Sequence, residues 1–249
     1  MGSLKMKKRT LKYIYISVVL SFVLLFVAKF GGPAILKAYV ETSIGNCRTL
    51  PLLCILPEKE LANFEIDKTY LEELLPYTFP GIRISIPKGF TVIKGQVTKA
   101  YYKKRKFTAK SPVIYLLYQK PKFFINIFPQ VKKQGVKDNY DFLTRTMNAR
   151  FNDIENLTDA FFVIMKTIFT PNLGDQENIK MVKFESAGKK GFINYNLASP
   201  ENYFDCNVLD SNDGLFKIYI KDEGARLDLD KVLAIISTLH VSNISALDE

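Results

Sequence analysis

The chain reads as an α+β protein: an antiparallel sheet with helices packed on its faces, preceded by one transmembrane helix. Three observations carry that expectation. Tyr13–Ala28, YIYISVVLSFVLLFVA, holds no charge and follows Lys5, Lys7, Lys8, Arg9 and Lys12. From Gly81 onward, runs of alternating or continuous apolar residues recur between Gly, Pro and Asp-Gly punctuation. Between and after these runs, segments carry apolar residues at helical spacing. Strands, two helices, strands and a closing helix describe α+β order.

The first stretch extends to Leu11–Phe30 if Lys12 and Lys29 snorkel, which suffices for one crossing of a ~30 Å hydrocarbon core. Basic residues upstream with no acid place the N-terminus in the cytoplasm and the chain from about Gly31 outside. Cleavage as a signal peptide is disfavoured: a cut after Ala28 leaves Phe26 three residues back, and one after Ala34 needs Pro33 beside the scissile bond. The expected organisation is a basic cytoplasmic tail (1–12), a signal anchor (13–30), a juxtamembrane helix with a cysteine-containing linker (31–79), an extracytoplasmic α+β domain (80–241) and a polar tail (242–249). The expected location is the plasma or inner membrane.

Pro33 opens a helix over Ala34–Ile44, with Ile35, Leu36, Tyr39 and Val40 apolar. Pro51, Pro57 and the cysteines mark Arg48–Pro57 as linker. Asp67 caps a short helix over Ile66–Leu75, ended by Pro76 and Pro80. Ile82, Ile84 and Ile86 alternate with Arg83 and Ser85 as in a half-buried strand, and Pro87-Lys88-Gly89 turns it. Strands follow at Phe90–Ile93, Val97–Tyr102, Val113–Tyr118 and Phe123–Phe128, the last two joined by a hairpin over Gln119–Lys122. Asp138 caps a helix to about Phe151, and Thr158–Phe169 forms another that is apolar nearly all round. Strands Ile179–Ser186, Phe192–Leu197, Tyr203–Leu209 and Phe216–Lys221 turn at Gly188–Gly191 and at Asn212-Asp213-Gly214. Asp228 caps the closing helix Leu229–Leu239.

Net charge is +10, but it is unevenly placed. Residues 1–30 hold six basic residues and no acid, so the remainder has 29 basic against 25 acidic residues. Within that remainder, Lys94–Lys137 holds twelve basic residues and no Asp or Glu, leaving 17 basic against 25 acidic residues elsewhere. Cys47 and Cys54 are spaced for a small disulfide loop in an oxidising compartment, or stand as two buried thiols, with Cys206 left over. His240 is the only histidine and no Cys-x-x-Cys unit exists, so neither metal nor cofactor is expected.

PGIRISIPKGF at Pro80–Phe90, GKKGFINYN at Gly188–Asn196 and LDLDKVLAIISTL at Leu227–Leu239 together resemble the skeleton of PsbP/Mog1-type domains. The resemblance covers about Pro80–Val241. It implies an antiparallel sheet between helices and a non-catalytic, partner-binding role, and it identifies no functional residue. The anchor and the cysteine-containing stalk fall outside it.

Catalytic motifs are weak. Ser186-Ala187-Gly188-Lys189 matches the Ser-x-x-Lys of penicillin-recognising enzymes, but on a hairpin, without Ser-Asp-Asn or Lys-Thr-Gly. Asp210–Gly214, DSNDG, lacks the glycine spacing and the twelfth-position glutamate of a calcium loop, where Lys221 stands instead. The basic stretch is the stronger feature: Lys99, Tyr101, Tyr102, Lys103, Lys104, Arg105, Lys106, Phe107 and Lys110 interleave cations with aromatic rings. Such a tip protects a strand edge from aggregation, or docks onto an acidic protein or anionic lipid. Nucleic acid is disfavoured by the extracytoplasmic placement. The expected function is thus a membrane-anchored interaction module, an accessory subunit of a membrane complex being one form of it. The alternative is an anchored hydrolase or transferase whose acid pair forms only in the fold.

Overall fold

The computed structural model describes residues 31–62, 66–79, 81–94, 112–170, 178–186, 188–198 and 201–241. In chain order these form helix α1 (Gly32–Ser43), strand β1 (Glu60–Ala62), helix α2 (Lys68–Glu73), and strands β2 (Leu75–Phe79), β3 (Ile82–Ile86), β4 (Thr91–Lys94) and β5 (Val113–Gln119). Helices α3 (Phe123–Ile127), α4 (Asn139–Asn148) and α5 (Leu157–Phe169) follow. Strands β6 (Lys180–Ser186), β7 (Lys189–Ala198), β8 (Glu201–Leu209) and β9 (Leu215–Glu223), helix α6 (Leu229–Ser237) and strand β10 (His240–Val241) complete the order.

Seven strands make one sheet in the order β1-β6-β7-β8-β9-β5-β4, and β10-β3-β2 make a second. The run from β6 to β9 is an antiparallel meander extended by β5. At its two edges β1 lies parallel to β6 and β4 parallel to β5, so the large sheet is mixed where the sequence predicts an antiparallel one. The turn between β8 and β9 is built by two aspartates: Asp210 accepts the N–H groups of Asn212 and Gly214, and Asp213 adopts a left-handed φ of 64°.

Both faces of the large sheet are covered, as continuous apolar strands require. Val182, Phe184, Ile193, Phe204, Cys206, Phe216, Ile218 and Ile220 meet Val232, Leu233 and Ile236 of α6 and the isoleucines of β3. Met181, Phe192, Leu209, Leu215 and Tyr219 point to the other face and meet Phe124, Phe142, Leu143, Met147, Phe162 and Phe169 of α3, α4 and α5. Phe124 and Phe142 stack there with ring centroids 4.2 Å apart. A smaller cluster of Val40, Leu53, Ile154, Ala160 and Val163 fastens α1 and the 3-10 turn Pro51–Cys54 onto α5.

The expected transmembrane helix is corrected. Among the described residues no helix is long and apolar enough to cross a membrane. Helix α1, the nearest to the expected anchor, has 12 residues, about 18 Å at 1.5 Å per residue, and carries Lys37 and Glu41. The stretch Tyr13–Phe30 lies outside the described residues, as do the strand expected at Val97–Tyr102 and the tail 242–249.

Phe123–Phe128 is also corrected, from strand to helix. Lys122 turns left-handed (φ 59°), then Phe124 and Ile125 go inward while Asn126 and Ile127 face out, a pairing of sides that a two-residue period cannot give. The predicted hairpin therefore leads into α3, and β5 pairs with β9 and β4 instead. Leu75–Phe79, read as a proline-broken helix end, pairs with β3 along the outer edge of the small sheet, where a missing N–H is tolerated. The β6–β7 hairpin closes with Ser186 opposite Lys189, so Lys189 and Lys190 belong to β7.

Candidate functional site

The interaction residues predicted from sequence, Lys99, Tyr101, Tyr102, Lys103, Lys104, Arg105, Lys106, Phe107 and Lys110, lie outside the described residues. What is described of the acid-free segment is its second half. Helix α3 is held by Phe124 and Ile125, and the following 3-10 turn, Pro129–Gln134, by Val131, all buried. These anchors leave Lys120, Lys122, Lys132, Lys133 and Lys137 exposed, with Ile127 exposed among them at 51%. Nearby acids bond to backbone: Asp213 accepts N–H groups from Lys122, Asn139 and Tyr140 at 3.0–3.2 Å, and Asp141 accepts that of Lys137 at 3.1 Å. Burial pushes the Asp213 carboxyl up, against those N–H bonds.

A cleft of about 410 Å³ opens at the hairpin end of the sheet, lined in part by Asp138, Tyr140, Ser186, Lys189, Asp210 and Asp213. It unites the two motifs that the sequence offers as candidate chemistry, and the geometry assigns their groups elsewhere. Ser186 and Lys189 face each other across two strands rather than one helical turn apart. The Lys189 ammonium donates to the Ser237 carbonyl at 3.1 Å, and burial lowers its pKa. Asp138 caps α4 through the Asp141 N–H at 2.7 Å, Asp210 and Asp213 hold backbone N–H groups, and Lys190 lies 4.0 Å from the Tyr140 ring centroid. The cleft is a polar joint between turns. Among the described residues no cluster of three His, Cys, Asp or Glu could hold a metal ion.

A third polar group lies where the sheet meets α5. Asn194, Asp205, Asn207 and Lys217 point to the same sheet face and are fully or nearly fully buried. Lys217 forms an ion pair with Asp205 and donates to Asn207 Oδ1 at 3.2 Å and to the Phe169 carbonyl that ends α5. Its three protons are thereby used. Burial pushes the Asp205 carboxyl up and the Lys217 ammonium down, each opposed by the other's charge. The pair is a post between sheet and helix, with no exposed reactive atom.

Cys47 and Cys54 are disulfide-bonded with Cα atoms 5.6 Å apart, and Cys206 is a buried thiol whose pKa burial raises well above the ordinary value. Phe162 is buried and Phe161 half-buried against Phe128 and Phe142, so α5 offers no aromatic pair to a partner.

Sequence reasoning missed Lys166, Asp205 and Lys217. The signal for the last two is the sequence of polar residues at one parity, Asn194 and Asn196, then Asp205 and Asn207, in strands otherwise apolar. No protein-family model matches the chain, and no curated protein sequence matches it.

Proposed function

We propose that the chain is a non-catalytic docking module that engages an anionic macromolecular surface, acidic protein or anionic lipid, through its basic segment. The observation that carries this reading is twelve Lys or Arg without one Asp or Glu over Lys94–Lys137, whose five lysines from Lys120 onward are all exposed. Such a segment raises the local concentration of an anionic partner and steers its approach. The commitment of Asp138, Asp210, Asp213, Lys189 and Lys190 to backbone and ring partners argues against a catalytic acid pair built from the two motifs there. The Cys47–Cys54 bond supports an oxidising, extracytoplasmic compartment. A partner-binding role is also what the resemblance to PsbP/Mog1-type domains implies.

Charge reversal tests it. Lys103→Glu combined with Arg105→Glu is expected to abolish capture of partner material from envelope extracts while the melting temperature stays that of the parent. Equal capture by the two proteins removes the reading.

A further inference from the structure

We infer that the anionic surface is that of a lipid bilayer, and that α3 with the turn after it lays Ile127 into the interface between lysine side chains. This rests on the docking reading and narrows it. Of the twelve basic residues in Lys94–Lys137, eleven are lysine and only Arg105 is arginine. Protein–protein interfaces enrich arginine, whose planar fork pairs with carboxylates, and deplete lysine. A headgroup layer asks for something else: point charges on flexible stems that adjust to a fluid array of phosphates. Lysine excess therefore favours a headgroup layer over a protein interface.

The second observation is apolar. Ile127 is 51% exposed, yet it ends a helical turn whose other side is fixed in the core. Phe128, next to it, is half-buried and meets the Phe142 and Phe161 rings at 6.1 and 5.3 Å, so the position of the isoleucine is set. Lys122 precedes it and Lys132, Lys133 and Lys137 follow within ten residues, all exposed. Asp138 and Asp141 each give one carboxylate oxygen, and Asp213 both, to backbone N–H groups, so these acids are held in the turns around α3. An exposed isoleucine in a segment whose lysines are all exposed matches the boundary between headgroups and acyl chains.

The test uses the full chain carrying Ile127→Cys labelled with the environment-sensitive fluorophore NBD. Native thiols do not compete, since Cys47 and Cys54 are bonded and Cys206 is buried. A Leu197→Cys label, at an exposed position on β7, is the control. On phosphatidylcholine vesicles containing about one-third phosphatidylglycerol, the label at 127 is expected to shift to the blue, and on pure phosphatidylcholine to stay in water, with the control unmoved on both. Adding Lys132→Glu and Lys133→Glu is expected to raise the lipid concentration needed at least ~30-fold, because each lysine near such a surface contributes about 1 kcal/mol. A label that stays in water on anionic vesicles, while polyglutamate resin still captures the chain, overturns the lipid assignment and leaves docking standing. Failure of both overturns the two together.

Discussion

Lys166 has none of its surface exposed, and its ammonium donates to the Ile55 carbonyl at 2.5 Å and to that of Ala149 at 3.0 Å. It thereby ties the end of the disulfide-bonded linker to the loop after α4. Burial, assisted by the Arg150 charge, lowers its pKa from 10.5 to about 7. Because the folded-state value is the lower one, the unfolded chain binds more protons between about pH 7 and pH 10.5, and stability rises with pH across that window. Below pH 7 both states are protonated and the folded one carries the whole cost of the buried charge. Lys166→Met is expected to remove this dependence: between pH 7 and pH 9 the parent gains roughly 2 kcal/mol more than the variant, from a slope of about 1.4 kcal/mol per pH unit. Urea unfolding at the two pH values reads the difference, and parallel curves for parent and variant would refute the assignment.

The meander β6–β9 shows how an element depends on one missing side chain. A Cβ on Gly191 of β7 would sit 1.8 Å from the Asn207 carbonyl oxygen and 2.9 Å from its carbon, both backbone atoms of the neighbouring strand. Nothing flexible can yield there, so β7 and β8 would have to part. At Gly188, whose φ is +72°, a Cβ meets nothing within 4 Å, and only backbone strain opposes it. Gly191→Ala is therefore expected to cost about 3 kcal/mol or more and Gly188→Ala about 1 kcal/mol, read as the ratio of their urea midpoint shifts. Comparable shifts would mean that the strands are not so closely packed. The same meander was the most legible part of the sequence, since Ile179–Ser186 and its three successors alternate or run apolar between turn residues, and Asp138 and Asp228 mark the starts of α4 and α6. What stayed hidden is what other elements decide. Phe123–Phe128 has strand composition, but its backbone is set by Asp213, 91 positions beyond Lys122, whose carboxylate takes the Lys122 N–H. The Asp205–Lys217 pair likewise exists only through the registry of β8 on β9.

At the scale of the whole molecule, the charges that hold the fold and those proposed to engage a partner are different sets, and salt should separate them. The central ion pair, Lys217 with Asp205, is buried beneath α5 where mobile ions do not reach. The pairs Lys183–Glu60 at 2.7 Å, Lys221–Glu201 at 2.9 Å and Lys231–Asp228 at 3.7 Å involve partly exposed side chains and contribute about 0–1 kcal/mol each. Apolar contact on both faces of the large sheet, which salt does not screen, carries the rest. The lysines from Lys120 to Lys137 instead act through solvent, where the screening length falls from about 10 Å at 0.1 M salt to about 3 Å at 1 M. Raising NaCl across that range is expected to release the chain from anionic vesicles or acidic resin while its melting temperature moves by no more than about 4 °C, the equivalent of about 1–2 kcal/mol for a domain of this size. Co-sedimentation and circular-dichroism melts in the same buffers make the comparison. Retention at 1 M salt with the fold intact would show that binding does not run through the charge of the basic segment, and release only where the fold itself melts would show that it follows the folded state rather than screening.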